Sequence, residues 1–174
     1  AHDTKNKSAA EVYFKVNTCL TQKIFDYFMT SNAKKFIFFS TAKAAADRVE
    51  GVLTEDVVPT PVGPYGESKI KAEEYVLGKE LTAGKKVYIF RPCMIHGPGN
   101  KGNLNLLYSV VRKGIPWPLG AFENRRTFTS IENICFAVNG VLTKDVPSGI
   151  YNMGDDEALS TNELIEIICS VLGR

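Results

Sequence analysis

Residues 35–40, KFIFFS, constrain this chain more than any other feature. The apolar side chains follow one another without the alternation of a strand that has one wet face. The run therefore predicts a strand buried on both faces, as in a parallel sheet. Residues 87–90, VYIF, form a second run of the same kind. Between them, residues 65–81 are rich in Glu, Lys, Ala and Leu and begin just after Pro64, which suits a first helical turn. Strand, helix, strand is a βαβ unit, with a right-handed crossover expected. The fold class is α/β, a parallel sheet with flanking helices.

Other elements follow from periodicity and caps. Residues 8–31 predict a long amphipathic helix in which Val12, Val16, Leu20, Ile24 and Phe28 recur every fourth residue as one buried stripe. Helices are expected over 104–113 and 131–142, a loop over 114–120, and strands over 127–129 and 149–153. Ser160 suits the N-cap of a final helix, and Glu163 completes a capping box.

At 174 residues the chain has room for one domain with a real core. Lys and Arg total 21 against 19 Asp and Glu, a net charge of +2, which supplies no global attraction to nucleic acid or an anionic membrane. No apolar run approaches the roughly 20 residues of a spanning helix. Cys19, Cys93, Cys135 and Cys169 are scattered, with no CxxC pair and no clustered ligands for a metal. They are expected to be buried, reduced thiols of a cytoplasmic protein. The N-terminus has no apolar signal core.

Two segments draw attention as a site. The connection over 41–64 is long and polar, with prolines at 59, 61 and 64, and it leaves the carboxyl end of a predicted parallel strand, where open α/β sheets place ligands. Residues 96–102, HGPGNKG, leave the second strand in the same sense. Ser40 and Thr41 put two hydroxyls at that edge. Tyr65 and Lys69 stand at i and i+4, neighbours on one helical face. A nearby cation favours a phenolate, which would bring a tyrosine of ordinary pKa near 10 toward a working base. The same spacing also suits a plain solvated helix face.

In order along the chain stand KVNT, FFSTA, PYGESKIKAEEYV, FRPCMIHGPGN, NRRTFTSIENI and YNMGDDEALSTNELIEII. Together they resemble the extended short-chain dehydrogenase/reductase family, in its branch of NAD-dependent nucleotide-sugar epimerases and dehydratases. The resemblance implies a partial Rossmann-like sheet over 1–92, the C-terminal part of an NAD-binding domain. It implies that 93–174 is mostly a small substrate-binding α/β region, interleaved with late Rossmann elements. It makes Tyr65 the general base or acid, Lys69 the holder of the nicotinamide ribose that also lowers the tyrosine pKa, and Thr41 the hydroxyl that binds the reacting group. Asn17 would support a proton-relay water and the main chain. Pro92, Cys93 and Met94 would lie near the nicotinamide; Asn103 and Leu104 near the nucleotide; and Arg126, through its donor fork, on the diphosphate. Arg125 suits a solvated charge as well as a functional one, and His2 matches the start of a family segment that follows a strand but equally suits an exposed terminal histidine.

The resemblance further implies a nucleotide-sugar substrate, NAD (or NADP) as cofactor, no metal, and a homodimer built from the helix pair 8–31 and 65–81. The activity implied is a UDP-galactose/UDP-glucose type 4-epimerase working through a transient 4-keto sugar. A 4-keto reductase and a non-catalytic NAD-fold binding protein are the alternatives. The sequence departs from the family pattern in three places. No GxxGxxG or GxGxxG occurs, so the chain is expected to be an internal fragment lacking roughly 80 preceding residues, and to be inactive alone. Ala42-Lys43 replaces the acidic pair of the 4,6-dehydratases, which argues against that reaction. Met94 stands where many UDP-galactose 4-epimerases carry an asparagine.

Overall fold

The structure, a computed structural model, describes residues 9–82, 84–99, 102–115 and 124–174. His2, Ser8 and most of the 114–120 loop lie outside the described residues. The chain divides into two compact units, Ala1–Pro92 with Cys135–Met153 and Cys93–Ile134 with Gly154–Arg174.

The first unit holds a parallel sheet of order β1-β2-β5, formed by Lys35–Phe39, Lys86–Pro92 and Gly149–Met153. In register, Phe38 faces Ile89, and Ile89 faces Ile150. The sequence rule for doubly buried strands holds for β2, whose residues from Val87 to Pro92 are all buried. It does not hold for β1, which lies at the end of the described strand order and leaves Phe39 41% exposed. Helix α4, Gly63–Leu77, makes the β1-to-β2 crossover. It begins earlier than expected, with Pro64 in its first turn, and ends sooner, at Gly78. Phe25, Phe28, Phe38, Ala72, Val76, Val87 and Ile89 form the core. Each large apolar side chain so buried contributes about 1.5–3 kcal/mol.

The N-terminal helix departs most from expectation. It runs as α1 (Ala10–Tyr13), a π-helical segment (Phe14–Cys19) and α2 (Leu20–Thr30). Its buried face is Tyr13, Asn17, Thr18, Thr21, Phe25 and Phe28, while Val12, Leu20 and Ile24 are exposed. Of the anticipated stripe, only Phe28 is buried. Each four-residue step overshoots a 3.6-residue turn by roughly 40°, so a five-member series at that spacing winds round the helix instead of marking one side.

The 41–64 connection is less open than its composition suggests. It contains the short helix α3 (Ala42–Ala45), N-capped by Thr41, and a parallel bridge between Ala46 and Thr60. Gly66 makes α3 and α4 approach closely, since a Cβ there would stand 2.6 Å from the Lys43 carbonyl oxygen.

In the second unit, β3 (Met94–His96) pairs parallel with β4 (Arg126–Ser130), which pairs antiparallel with β6 (Ala158–Leu159). Strands β3 and β6 are too short to leave a periodic signature. Helix α5 is Asn103–Arg112, and α6, Ile131–Thr143, begins in this unit and ends in the first. Helix α7, Thr161–Val171, carries the expected capping box, Ser160 with Glu163. The four cysteines are free thiols, but none is buried: Cys19 and Cys135 are exposed, Cys93 and Cys169 half-buried. Apolar neighbours in sequence do not fix which side of a helix a residue faces. Among the described residues no helix is long and apolar enough to cross a membrane, and no three ligand-type side chains cluster for a metal.

Candidate active site

The first unit brings Thr41, Tyr65, Lys69 and Asn17 into one neighbourhood. Thr41 follows β1 directly and turns the chain into α3 by accepting a hydrogen bond from the Lys43 amide at 3.4 Å. The Thr41 hydroxyl stands near enough to the Tyr65 phenol to hold its pKa down. Tyr65 stands in the first turn of α4, half-buried, with its ring edge-to-face on Tyr13 at 6.0 Å between centroids. One turn later Lys69 is also half-buried. Its Nζ donates to the Phe39 carbonyl at 2.7 Å and lies 4.9 Å from the centroid of the Phe38 ring.

Asn17 acts through α4. Its Nδ2 donates to Ser68 Oγ at 3.0 Å, and Ser68 Oγ donates to the Tyr65 carbonyl at 2.8 Å. Beside it, Thr18 Oγ1 donates to the Ser68 carbonyl at 2.7 Å. Both Asn17 and Thr18 lie in the π-helical segment, a local widening that recurs at functional sites. The widened turn presents two adjacent polar side chains to the helix that carries Tyr65.

The electrostatics differ from the sequence reading. Burial pushes the Tyr65 phenol above the ordinary value, while the neighbouring Thr41 hydroxyl and the charge of Lys43 pull it down. A cation that acts on the phenol is Lys43, two residues after Thr41, which the helical spacing does not point to. Lys69 has its own balance: burial lowers its pKa and the charge of Glu73 raises it.

The remaining candidates fall elsewhere. Pro92 ends β2, paired in register with Met153. In the second unit, the Cys93 thiol is half-buried and pushed up by burial and by the charge of Asp155. Met94 opens β3 opposite Phe128, and Asn103 and Leu104 open α5. Arg126, exposed, opens β4. Arg125 is engaged instead of merely solvated, donating to the Ala158 carbonyl at 3.0 Å with Glu163 at 3.7 Å.

Sequence reasoning missed Ser68, the charge of Lys43 beside the phenol, and the two charged members of a buried trio in which Ser40 joins Glu73 and Arg91. A signal for the trio was present. Arg91 interrupts an otherwise apolar buried strand, and a charge in that position requires a buried partner.

Tyr65 and Lys69 fit the ribose of a nicotinamide dinucleotide by the chemistry of their donors. An ammonium has three N–H groups, and the Phe39 carbonyl takes one.

The model of the NAD dependent epimerase/dehydratase family matches residues 1–154. Over 182 aligned residues the chain is 31% identical to a UDP-glucose 4-epimerase of Vibrio cholerae, covering 99% of this chain and 54% of that protein. It is 26% identical to a GDP-6-deoxy-D-mannose reductase of Pseudomonas aeruginosa, covering 78% of this chain and 48% of that one. The chain therefore spans about half the length of these curated relatives. Among solved structures, the Bordetella bronchiseptica enzyme WbmG in complex with NAD superposes with a TM-score of 0.85 at 18% identity, over 100% of this chain and 55% of that one, a likeness of fold. With the family model matching most of its length, the chain belongs to the NAD dependent epimerase/dehydratase family.

Proposed function

We propose that this chain forms part of an NAD-dependent UDP-sugar 4-epimerase of the UDP-galactose/UDP-glucose type. The observation that carries the reading is the half-buried Tyr65 phenol at the start of α4 beside Thr41, with Lys69 one helical turn along and its ammonium held by the Phe39 carbonyl. The 31% identity to a UDP-glucose 4-epimerase supports this choice of reaction. In this reading the first unit supplies part of the cofactor-binding domain and the second most of the substrate-binding region. Arg126 grips the diphosphate, and Asn103 and Leu104 approach the nucleotide.

Held in part by Tyr65 and Lys69, a bound NAD would supply the hydride acceptor and donor for carbon 4 of the sugar. The chain's own residues handle the proton and the positioning. Thr41 orients the 4-hydroxyl, and Tyr65 takes its proton and later returns it to the 4-keto oxygen once the sugar has turned its other face to the cofactor. Lys69 holds ribose hydroxyls with the donors that Phe39 leaves free. Asn17 and Thr18 fix the first turn of α4 through Ser68, so the phenol does not wander. Burial raises the phenol pKa, which makes Tyr65 a competent acid for the return step. Thr41 and Lys43 keep it from rising further.

Two such chains are proposed to associate through the helix pair that includes α2 and α4. The exposed Leu20, Ile24 and Tyr27 of α2 and Leu77 of α4 support that reading. A one-way 4-keto reductase is the second reading, favoured by the similarity to the Pseudomonas reductase.

The test uses the full-length protein containing this chain. Given UDP-galactose it should form UDP-glucose with no net change in NADH absorbance. The Tyr65→Phe variant should lose at least about 100-fold in rate while binding the nucleotide sugar nearly as before. Consumption of reduced cofactor on a 4-keto sugar, with no interconversion, selects the reductase. Undiminished epimerisation by Tyr65→Phe contradicts the proton-transfer role.

A further inference from the structure

Three polar side chains are shut inside the first unit without a part in the chemistry above. They are Ser40 after β1, Glu73 on α4 and Arg91 on β2, at 5%, 0% and 1% exposure. Arg91 Nε lies 3.1 and 3.0 Å from the two Glu73 carboxylate oxygens, and Nη2 lies 2.5 Å from Oε2. The Ser40 hydroxyl donates to Glu73 Oε1. A buried ion pair is weak support for stability, because apolar side chains of similar volume often replace one without loss. Its value here lies in what it places. Glu73 follows Lys69 by one helical turn. Ser40 sits between Phe39, whose carbonyl holds the Lys69 ammonium, and Thr41. Arg91 precedes Pro92. One carboxylate thus ties together the ends of the elements that carry Thr41, Lys69 and Pro92.

We infer that Glu73 is a positioning residue: its carboxylate, locked by Arg91, anchors the Lys69 ammonium electrostatically and holds Ser40, and with it Thr41, at the end of β1. The inference rests on the reading of Thr41, Tyr65 and Lys69 as the reacting groups. Burial acts to strip the proton from Lys69, and the charge of Glu73 opposes it. The nearby elements bring cations, Lys43 on α3 and Arg91 on β2, and the phenol of Tyr65 on α4. None of these groups supplies a negative charge at neutral pH, so the counter-charge falls to Glu73.

The test is an NMR titration of lysine side-chain 13Cε and 15Nζ resonances in the 174-residue chain, with Lys69 assigned by Lys69→Met. In Glu73→Gln the Lys69 midpoint should fall by about one pH unit, and Glu73→Asp, which keeps the charge, should recover most of the shift. Because Glu73→Gln leaves a buried arginine unpaired and can unfold the chain, a Glu73→Leu/Arg91→Met double variant is measured beside it. If that variant folds and the Lys69 midpoint still falls, the inference stands. If Lys69 titrates as in the wild type in either folded variant, it is overturned. A double variant that does not fold assigns the trio to architecture alone and overturns it too. The measurement needs neither cofactor nor sugar, so this inference and the epimerase reading can fail separately.

Discussion

Each unit holds a carboxylate paired inside a polar network, and the two environments differ sharply. In the first, Arg91 and Glu73 are sealed from solvent, and the carboxylate accepts from guanidinium and hydroxyl at once. In the second, His96 Nε2 lies 3.4 Å from Asp155 Oδ2, with side chains 36% and 31% exposed. Asp155 also accepts from Asn133 Nδ2 at 2.6 Å and from the Ser130 amide at 3.4 Å. It therefore pins the turn between β4 and α6, where Ser130 caps the Asn133 amide at 3.1 Å. The same pairing acts as a locked anchor when dry and as an adjustable clasp when wet. Desolvation makes the first costly to break, and solvent screening makes the second cheap.

The contrast breaks first, if it breaks at all, in unfolding energies. Glu73→Ala should cost about 3–5 kcal/mol in urea unfolding, because an unpaired arginine stays buried. Asp155→Ala should cost about 1 kcal/mol, the scale of a half-exposed hydrogen-bonded carboxylate. Equal costs would erase the distinction.

Acid sharpens it. The Asp155 carboxyl is held below the usual carboxylate range, first by its hydrogen bond from Asn133 and also by His96 and the Ser130 amide, against burial. A depressed folded pKa gives stability that is present above the unfolded value, near 3.9, and is lost as pH falls through the folded value. The melting-temperature gap between wild type and Asp155→Asn should therefore be steady near neutrality and shrink below about pH 4. A gap that widens in acid would show that the carboxyl gains nothing from its partners.

The smallest effect on folding is expected where the surface is apolar and uncovered in a single chain. Leu20→Asp with Ile24→Asp should change chain stability by no more than about 0.5 kcal/mol, since both side chains are exposed. In the dimer reading the same pair should shift the protein to monomer in sedimentation. A large loss of chain stability, or an unchanged dimer, would show that this face is not the subunit contact.

How much of this was legible follows from which interactions are local. The βαβ order, the capping box of Ser160 and Glu163, and the Tyr65–Lys69 spacing could be read because each depends on a few adjacent residues. The buried side of the N-terminal helix could not, because it depends on α4 contacting Asn17 and Thr18 through a π-helical turn that periodicity does not register. The Thr41–Tyr65 contact joins residues separated by a long connection, and its partner cation, Lys43, stands in a helix of only four residues. Glu73 was hidden among the exposed-looking charges of α4, although Arg91 within β2 implied that some carboxylate must be buried with it.

The most direct measurement follows the hydrogen at carbon 4. UDP-galactose deuterated at that position is incubated with the full-length protein in ordinary water, and the UDP-glucose formed is examined by mass spectrometry and NMR. Proton exchange confined to the hydroxyl through Tyr65, with the hydride removed and returned, predicts product that keeps its deuterium at carbon 4. Deuterium lost to water, or no UDP-glucose at all, would contradict it.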